Sequence, residues 1–410
     1  MFLPARRLAH QLGPIGAPTV LDALDLDRGR WVLLLELPQG LLVAAVMEDG
    51  EGYRRAVAGD GVAEGLLALT ATEDLRGAFS FRRLGRIAAW SGERPIEVDQ
   101  SNESIVVGGK ALVKRFVWTT PGNDRPVVLP AHLVAAGFEE MPAPLGTVAW
   151  DQAGDVAPIA SIMSYLPEAR DGWDWYPELI ERSLDDGAID ATEPAAALGA
   201  VTARLHVALA TPTEVLRAPI VTASEDTVAT WWRRAGDDLD DALSSIDGDE
   251  GARLHSWERA IRDELRQLPP RPMTAIPIHG DLHVGQFLRW REGLAVSDLD
   301  GDPLGPGTLE GPPAKDVASL VQSLDHVGRI VEGRRGGSVA GWIRDASERC
   351  LRSYRDELAR LDASSLFDEE LLRPLRVAQE LHEFLYAARY LPAWRSVPDR
   401  ALAALLETDA

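Results

Sequence analysis

Up to about residue 90, short apolar runs alternate with turn residues. Residues 31–37 and 41–46 flank Pro38-Gln39-Gly40, which predicts an antiparallel hairpin. Residues 61–75 carry helical spacing, and residues 80–84 with 86–90 predict another antiparallel pair. From Ile96 the pattern changes. Residues 100–107 lead into Gly108-Gly109 and out along 110–117, a strand, a turn and a strand. Residues 148–150 and 159–167 predict the next strands. Beyond Asp171-Gly172-Trp173-Asp174-Trp175 the spacing turns helical. Leu198, Val201, Leu205 and Leu209 share one face, with His206 beside it as a structural residue. Trp231-Trp232 opens a helix that runs into a solvated acidic face at 237–241. Leu254, Ala260, Ile261 and Leu265 carry the pattern on to Pro269-Pro270. A loop rich in glycine and proline spans 303–313. Asp316 then caps a helix with Val317, Leu320, Val321, Leu324 and Val331 inward. The last helices, at 371–391, end at Pro392-Ala393-Trp394. There is no internal repeat and no coiled-coil heptad.

Residues 278–303 carry the densest chemistry. His279-Gly280-Asp281 is followed, five residues after the aspartate, by the amide of Gln286. That is the spacing of a phosphotransferase catalytic loop. Val296-Ser297-Asp298-Leu299-Asp300-Gly301 then supplies a second acidic turn. Phosphoryl transfer is mostly positioning and charge neutralisation. One carboxylate must take the acceptor's proton, the role assigned to Asp281. Hard oxygen ligands must hold Mg²⁺, the role of Gln286 and Asp298, with Asp300 binding a second ion or orienting the acceptor. The plainer alternative is a tight aspartate-rich turn around a satisfied core His279.

Lys114 lies in the second strand of the 100–117 pair, where a kinase places its phosphate-binding lysine. The alternative is a solvent-facing lysine on an edge strand. Ser101, Asn102 and Ser104 would cover the phosphates, without the glycines of a protein-kinase loop. No acid in residues 130–136 offers Lys114 a partner, and Glu139 and Glu140 come late. Met163, Ser164, Tyr165 and Leu166, just before Pro167, fit either an adenine-binding hinge or a plain buried strand. Glu383 and Trp394 fit sugar binding by hydrogen bond and ring stacking, or ordinary packing.

Composition narrows the partners. The chain has 410 residues, room for two or three domains, with 46% hydrophobic residues and a mean hydropathy of -0.10. A net charge of -22 argues against nucleic acid or an anionic membrane as partner. Cys350 is the sole cysteine, which precludes an intramolecular disulfide and suits a reducing cytoplasm. The start is a poor signal peptide, and no run approaches the ~20 apolar residues of a membrane span. The sequon Asn102-Glu103-Ser104 is discounted for want of a secretion signal. Lys110, Lys114 and Lys315 are the only lysines among 42 basic residues, so a lysine-dependent step has few candidates.

Residues 278–289 and 298–303 together resemble the aminoglycoside phosphotransferase superfamily. The run HGDLHVGQFLR with its D-x-D-G-D-P turn is similar to maltokinases and actinobacterial glucosamine kinases, and a weaker likeness covers most of the chain. The resemblance implies an α+β, bilobal, eukaryotic-protein-kinase-like fold. Its expected parts are an N-terminal cap at 1–92, a small β-rich N-lobe at 93–168 and a mainly helical C-lobe at 169–410. It implies ATP as donor, Mg²⁺ as cofactor and a sugar hydroxyl as acceptor. Carried over, Asp281 is the base, Gln286 and Asp298 are metal ligands and Lys114 is the phosphate contact.

Maltokinases tend to show Tyr-Glu pairs and Arg-Pro before the final tryptophan. Here stand His382-Glu383, Tyr386-Ala387 and Leu391-Pro392. The glucosamine kinase pattern fits better, in His283-Val284-Gly285-Gln286 and in the turn at 300–303. A sugar amine would also favour carboxylates such as Asp300 or Glu383, with His283 beside it. The expected activity is phosphorylation of glucosamine to glucosamine 6-phosphate. Its rivals are maltokinase or another aminosugar or aminoglycoside phosphotransferase. From other classes come a metal hydrolase using His279, Asp281 and His283, and a pseudokinase-like binding module. No nucleic acid or membrane partner is expected, and the oligomer is a monomer or a homodimer.

Overall fold

The computed structural model describes residues 18–38, 40–96, 102–152, 154–291, 293–302, 309–391 and 394–407. The chain divides at Glu168/Ala169 into two units. In the first, β1 (Thr19–Asp25), β2 (Arg30–Leu37), β3 (Gly40–Asp49) and β4 (Gly52–Arg55) form one antiparallel sheet in sequence order. The expected hairpin is present, with Leu34 opposite Val43. Then come α1 (Val62–Thr72), β5 (Phe79–Arg83), β6 (Glu93–Pro95), β7 (Glu103–Val107) and β8 (Ala111–Arg115). β9 (Trp118–Thr119) returns to pair with β3, and α2 (Arg125–Ala135) leads to β10 (Pro144–Gln152) and β11 (Asp155–Ser164). The second sheet has the order β5-β10-β11-β8-β7-β6.

The expected pairing of 80–84 with 86–90 does not form. β5 instead lies against β10, Phe81 opposite Val148, because Phe79 and Phe81 then bury in the core. That core is continuous: Leu34, Val43, Leu66, Val113, Val148 and Ile162 share it. The burial of these side chains unites the residues on either side of position 92.

Strands β7 and β8 carry a polar exception. Glu103 opposes Arg115 in register, its carboxylate bonds Arg55 at 2.8 Å and Arg115 closely, and Arg115 also donates to the carbonyl of Val43. Burial pushes the Glu103 carboxyl up, but the guanidinium groups of Arg115 and Arg55 outweigh it and hold it below its ordinary value.

The second unit begins with α3 (Gly172–Asp185), capped by Asp171 through the N–H groups of Trp173 and Asp174. α4 (Glu193–Ala210) follows, with Leu198, Val201, Leu205 and Leu209 all buried. After β12 (Val221–Ala223), α5 (Glu225–Ser245) starts well before Trp231, because Ser224 caps it by accepting from the N–H of Thr227. α6 (Gly248–Leu265) buries Leu254 and Ile261 and leaves Ala260 exposed. β13 (Met273–Pro277) delivers the chain to the polar loop. The hairpin of β14 (Phe287–Trp290) and β15 (Gly293–Val296) leaves it, and β16 (Glu310–Gly311) closes back onto β13.

α7 (Pro313–Arg335) is buried along most of its length, including Val317, Leu320, Val321, Leu324 and Val331. Its N-cap is Pro312, so Asp316 does not cap it. The carboxylate turns inward, with the partners described below. α8 (Ala340–Arg360), α9 (Leu372–Tyr390) and α10 (Ser396–Glu407) complete the unit. Among the described residues, no helix is long and apolar enough to cross a membrane.

Replacing Glu103 by alanine strips a buried partner from two arginines. The expected loss is about 3 kcal/mol of unfolding free energy in a urea titration. Because the folded carboxyl lies below its ordinary 4.5, its contribution is complete above that pH. It fades as pH falls through the folded value, so the difference between variant and parent narrows in acid.

Candidate active site

The polar loop is built on one carboxylate. Asp316 Oδ2 accepts the backbone N–H of His279 at 2.7 Å, and Oδ1 accepts that of Gly280 at 2.8 Å. His206 Nε2 donates to Oδ2 at 3.1 Å, while its Nδ1 shares a 2.8 Å hydrogen bond with the Tyr354 hydroxyl. Burial pushes Asp316 up, but the His206 hydrogen bond and the loop N–H groups outweigh it and hold the carboxyl below its ordinary value. Gly280 at φ +84° makes the sharp turn that points both N–H groups at one carboxylate. Further on, the N–H of Val284 donates to Ser323 Oγ at 2.9 Å. His279 is wholly buried. Its Nε2 donates to the Ser297 carbonyl at 2.9 Å, and its Nδ1 faces the N–H of Asp281 at 3.4 Å. With both ring nitrogens engaged, His279 is a poor metal ligand, which removes the His-Asp-His hydrolase arrangement.

The hairpin brings the two halves of the motif together. Phe287 pairs with Val296, and the N–H of Ser297 donates to the carbonyl of Gln286 at 2.8 Å. Asp298 therefore follows directly on the residue opposite Gln286. It adopts φ +60°, a left-handed conformation unusual for a side-chain-bearing residue. Gln286, Asp298 and Asp300 offer oxygen donors only, the set that a hard divalent cation takes. Asp281 is half-buried among acids. Burial and then the carboxylates of Asp302, Glu383 and Asp298 push it up to about 7, against the pull of His279.

A row of aromatic rings begins beside Asp281. His283 Nε2 lies 3.9 Å from Asp281 Oδ2 and 3.3 Å from the Gln286 amide. Burial keeps its ring below the usual histidine range, against the carboxylates of Glu383, Asp298 and Asp171. The Trp173 ring lies 5.5 Å from that of His283 and 5.9 Å from that of Trp394. Gly285 is needed here, since a Cβ would fall 2.4 Å from Trp173 Nε1 and 2.8 Å from His283 Cε1. Glu383 accepts from Gln379 at 3.1 Å. Its neighbour His382 lies 3.5 Å from Asp302 and 3.9 Å from Asp238. Burial opposes the charge of His382, but Asp238 and Asp302 outweigh it and raise the ring above its usual range.

The structure thus assembles Asp281, His283, Gln286, Asp298, Glu383 and Trp394 in one unit, with Asp300 in the acidic turn. Asp302, Trp173 and His382 are additions to which the sequence assigned no site role, and Asp316, expected as a helix cap, anchors the loop instead. Cys350 is buried, its thiol pushed up to about 12, and takes no part.

The remaining candidates belong to the β-rich unit. Lys114 sits on β8 opposite Ser104 on one side and Ser161 on the other, so the three share a sheet face. Ala111, Val113 and Arg115 take the opposite, buried face. Ser104 is a strand residue rather than part of a phosphate-covering turn, and Asn102 Oδ1 accepts from Val117. Ser101 lies outside the described residues. Met163 and Ser164 end β11. The N–H of Ser164 donates to Ala143 and that of Tyr165 to Lys110, both at 2.7 Å, and Leu166 follows. Two of the hinge donors are therefore engaged within the protein.

A β-rich unit carrying Lys114 and a helical unit carrying an H-x-D loop, a hairpin and an acidic turn define a protein-kinase-like phosphotransferase. No family model matches the chain. It is 41% identical over 414 residues to a glucosamine kinase of Streptacidiphilus jiangxiensis, covering 96% of this chain and 92% of that protein. It is 36% identical over 406 residues to a glucosamine kinase of Mycolicibacterium smegmatis, covering 94% and 98%. A solved glucosamine kinase in complex with glucosamine, ADP and inorganic phosphate superposes with a TM-score of 0.81 at 39% identity, covering 97% of this chain and 95% of that one. The chain belongs to the glucosamine kinase family.

Asp316→Asn replaces one acceptor oxygen by a donor where two backbone N–H groups and His206 converge. Turnover is expected to fall about 10²-fold, the scale of a small misplacement of a reacting group. Unfolding free energy falls by about 1–3 kcal/mol. Steady-state kinetics and a thermal melt on the same preparation check both.

Proposed function

We propose that this enzyme transfers the terminal phosphate of ATP to glucosamine, giving glucosamine 6-phosphate and ADP. The sugar hydroxyl oxygen forms the new bond to phosphorus, its proton passes to Asp281, and the bond to the ADP oxygen breaks. The observation that supports this reading is the position of Asp281: it lies on the loop that Asp316 anchors, feels the carboxylate of Asp298, and stands 3.9 Å from His283, whose ring begins the row of Trp173 and Trp394. Gln286 and Asp298 would hold Mg²⁺, with Asp300 binding a second ion or orienting the acceptor. The Mg²⁺ ion, when bound, neutralises charge on the phosphates. Lys114 would contact the α and β phosphates, and the segment Met163, Ser164, Tyr165 and Leu166 would hold adenine through backbone groups other than the N–H of Ser164 and of Tyr165, which bond Ala143 and Lys110.

The choice of an aminosugar over maltose rests on charge. The carboxylates of Asp302, Glu383 and Asp298 crowd Asp281 enough to raise it to about 7. A cationic amine relieves that crowding, whereas a neutral disaccharide leaves it in place. Glu383 and Asp300 are the amine's partners in this reading, and Trp394 stacks on the ring. ATP dependence and a single buried thiol support a cytoplasmic setting.

ADP release across a sugar panel tests the acceptor. Glucosamine is expected to turn over fastest, and turnover of maltose without glucosamine overturns the assignment. Asp281→Asn is expected to lower kcat by about 10²–10⁴ with little change in ATP binding. Asp298→Ala is expected to abolish the Mg²⁺-dependent rate. Normal turnover by either variant removes its residue from the mechanism.

A further inference from the structure

Behind Trp394 lies a buried polar group that phosphoryl transfer does not use. His326 on α7 is 2% exposed and Glu380 on α9 is 0% exposed. His326 Nε2 lies 2.9 Å and 3.2 Å from the two carboxylate oxygens of Glu380. Gln322, one turn earlier on α7, donates to the same carboxylate, and its Oε1 accepts from Arg376 Nε at 2.6 Å. The pair is buried between the two helices, with the carboxylates of Asp325 and Glu383 also acting on it. A charged pair there is costly to desolvate, and well-packed hydrophobic side chains would hold the helices together as well or better. The pair therefore calls for a role beyond cohesion.

Ring geometry supplies one. The His326 ring meets that of Trp394 at 6.3 Å and 88°, edge to face. Trp394 meets Trp173 at 5.9 Å and 81°, and Trp173 lies 5.5 Å from His283, whose Nε2 lies 3.9 Å from Asp281. A continuous path of rings thus runs from the buried pair to the reacting carboxylate. Trp394 sits between α9 and α10, where its backbone N–H donates to the carbonyl of Leu391 at 2.8 Å. The orientation of its indole is set by the two rings that it meets at right angles.

We propose that His326, held by Glu380, is a positioning residue that orients the Trp394 indole against the acceptor sugar. This rests on the acceptor role given to Trp394 above. Protonation of the imidazole changes this contact, since a cation is drawn to the negative face of a neighbouring ring. Burial opposes that charge, but Glu380, Glu383 and Asp325 outweigh it and bring His326 to about 9. Arg376, the cation facing this group from α9, is kept at one remove by Gln322. His326 is therefore charged through neutral pH and loses its proton as pH rises through about 9.

The test compares the unaltered enzyme with His326→Gln and with the double variant His326→Gln/Glu380→Gln. The double variant removes the charges while leaving a neutral hydrogen-bonding pair, and a thermal melt establishes that it folds. The KM for glucosamine is expected to rise roughly tenfold at neutral pH, the scale of a desolvated cation–π contact. The KM for ATP and kcat stay unchanged. In the unaltered enzyme the glucosamine KM also rises across pH 9. The variants show a smaller rise, the part that comes from the sugar's own amine, and the difference between parent and variants isolates His326. A folded double variant with the parent's glucosamine KM overturns the inference, as does one in which both substrates' KM values rise together. If the unaltered enzyme fails to phosphorylate glucosamine, the acceptor assignment falls first and the inference falls with it.

Discussion

The carboxylate of Asp316 is the constraint on which the polar loop at 279–286 depends. It takes two loop N–H groups and one histidine N–H, so no donor at this point is left to solvent. An isolated buried carboxylate is strongly disfavoured, but one with several charge-assisted hydrogen bonds becomes a fixed point. Its helix, α7, is buried along most of its length and cannot shift without disturbing the core. His206 from α4 and Tyr354 from α8 continue the network, so three helices and the loop share one set of hydrogen bonds. Asp281 inherits its placement from this frame, two residues beyond His279.

The loop's rigidity allows the acids around it to be unfavourable to one another. Asp281, Asp298, Asp302 and Glu383 are held close enough that one of them is pushed up to about 7. Asp298 adds a left-handed backbone, at a cost on the order of 1 kcal/mol. Neither feature would persist in an isolated turn. Both are tolerable where the hairpin and α7 determine the backbone independently. Like-charge crowding raises the energy of the site without a cation. It is offset when positive charge arrives, so electrostatic strain in the protein becomes affinity for a cationic ligand.

The local part of this arrangement was legible in the sequence. The interval from Asp281 to Gln286 is contained in one loop, and the hairpin that follows needs only short-range pairing to bring Asp298 alongside. The hydrophobic faces of α4 and α7 were legible for a similar reason, since helical periodicity is a local property. Asp316 was visible but misassigned. An aspartate early in a helix resembles a cap, and nothing in its neighbours indicates that its partners stand 36 and 37 residues earlier. Trp173, His382 and Asp302 escaped because their roles arise from contacts between distant segments. The failed strand at 86–90 has the same origin: β5 found a better partner in β10, whose register buries both phenylalanines.

Strand β8 shows how one element can carry a structural ion pair and, in the function proposed above, a phosphate-binding lysine. Successive strand residues point to opposite faces, so Lys114 and Arg115 are separated although they are neighbours in sequence. Arg115 is tied to Glu103 and to the carbonyl of Val43, contacts that a displaced strand would lose. A slip of one residue would turn Arg115 to the face of Ser104 and Ser161 and drive Lys114 into the core. The buried ion pair therefore fixes which basic residue is presented on that face. Leucine or methionine in its place would pack as well but would not penalise the wrong register. In this strand the charged pair's value lies in specifying a single arrangement rather than in the net energy of the contact.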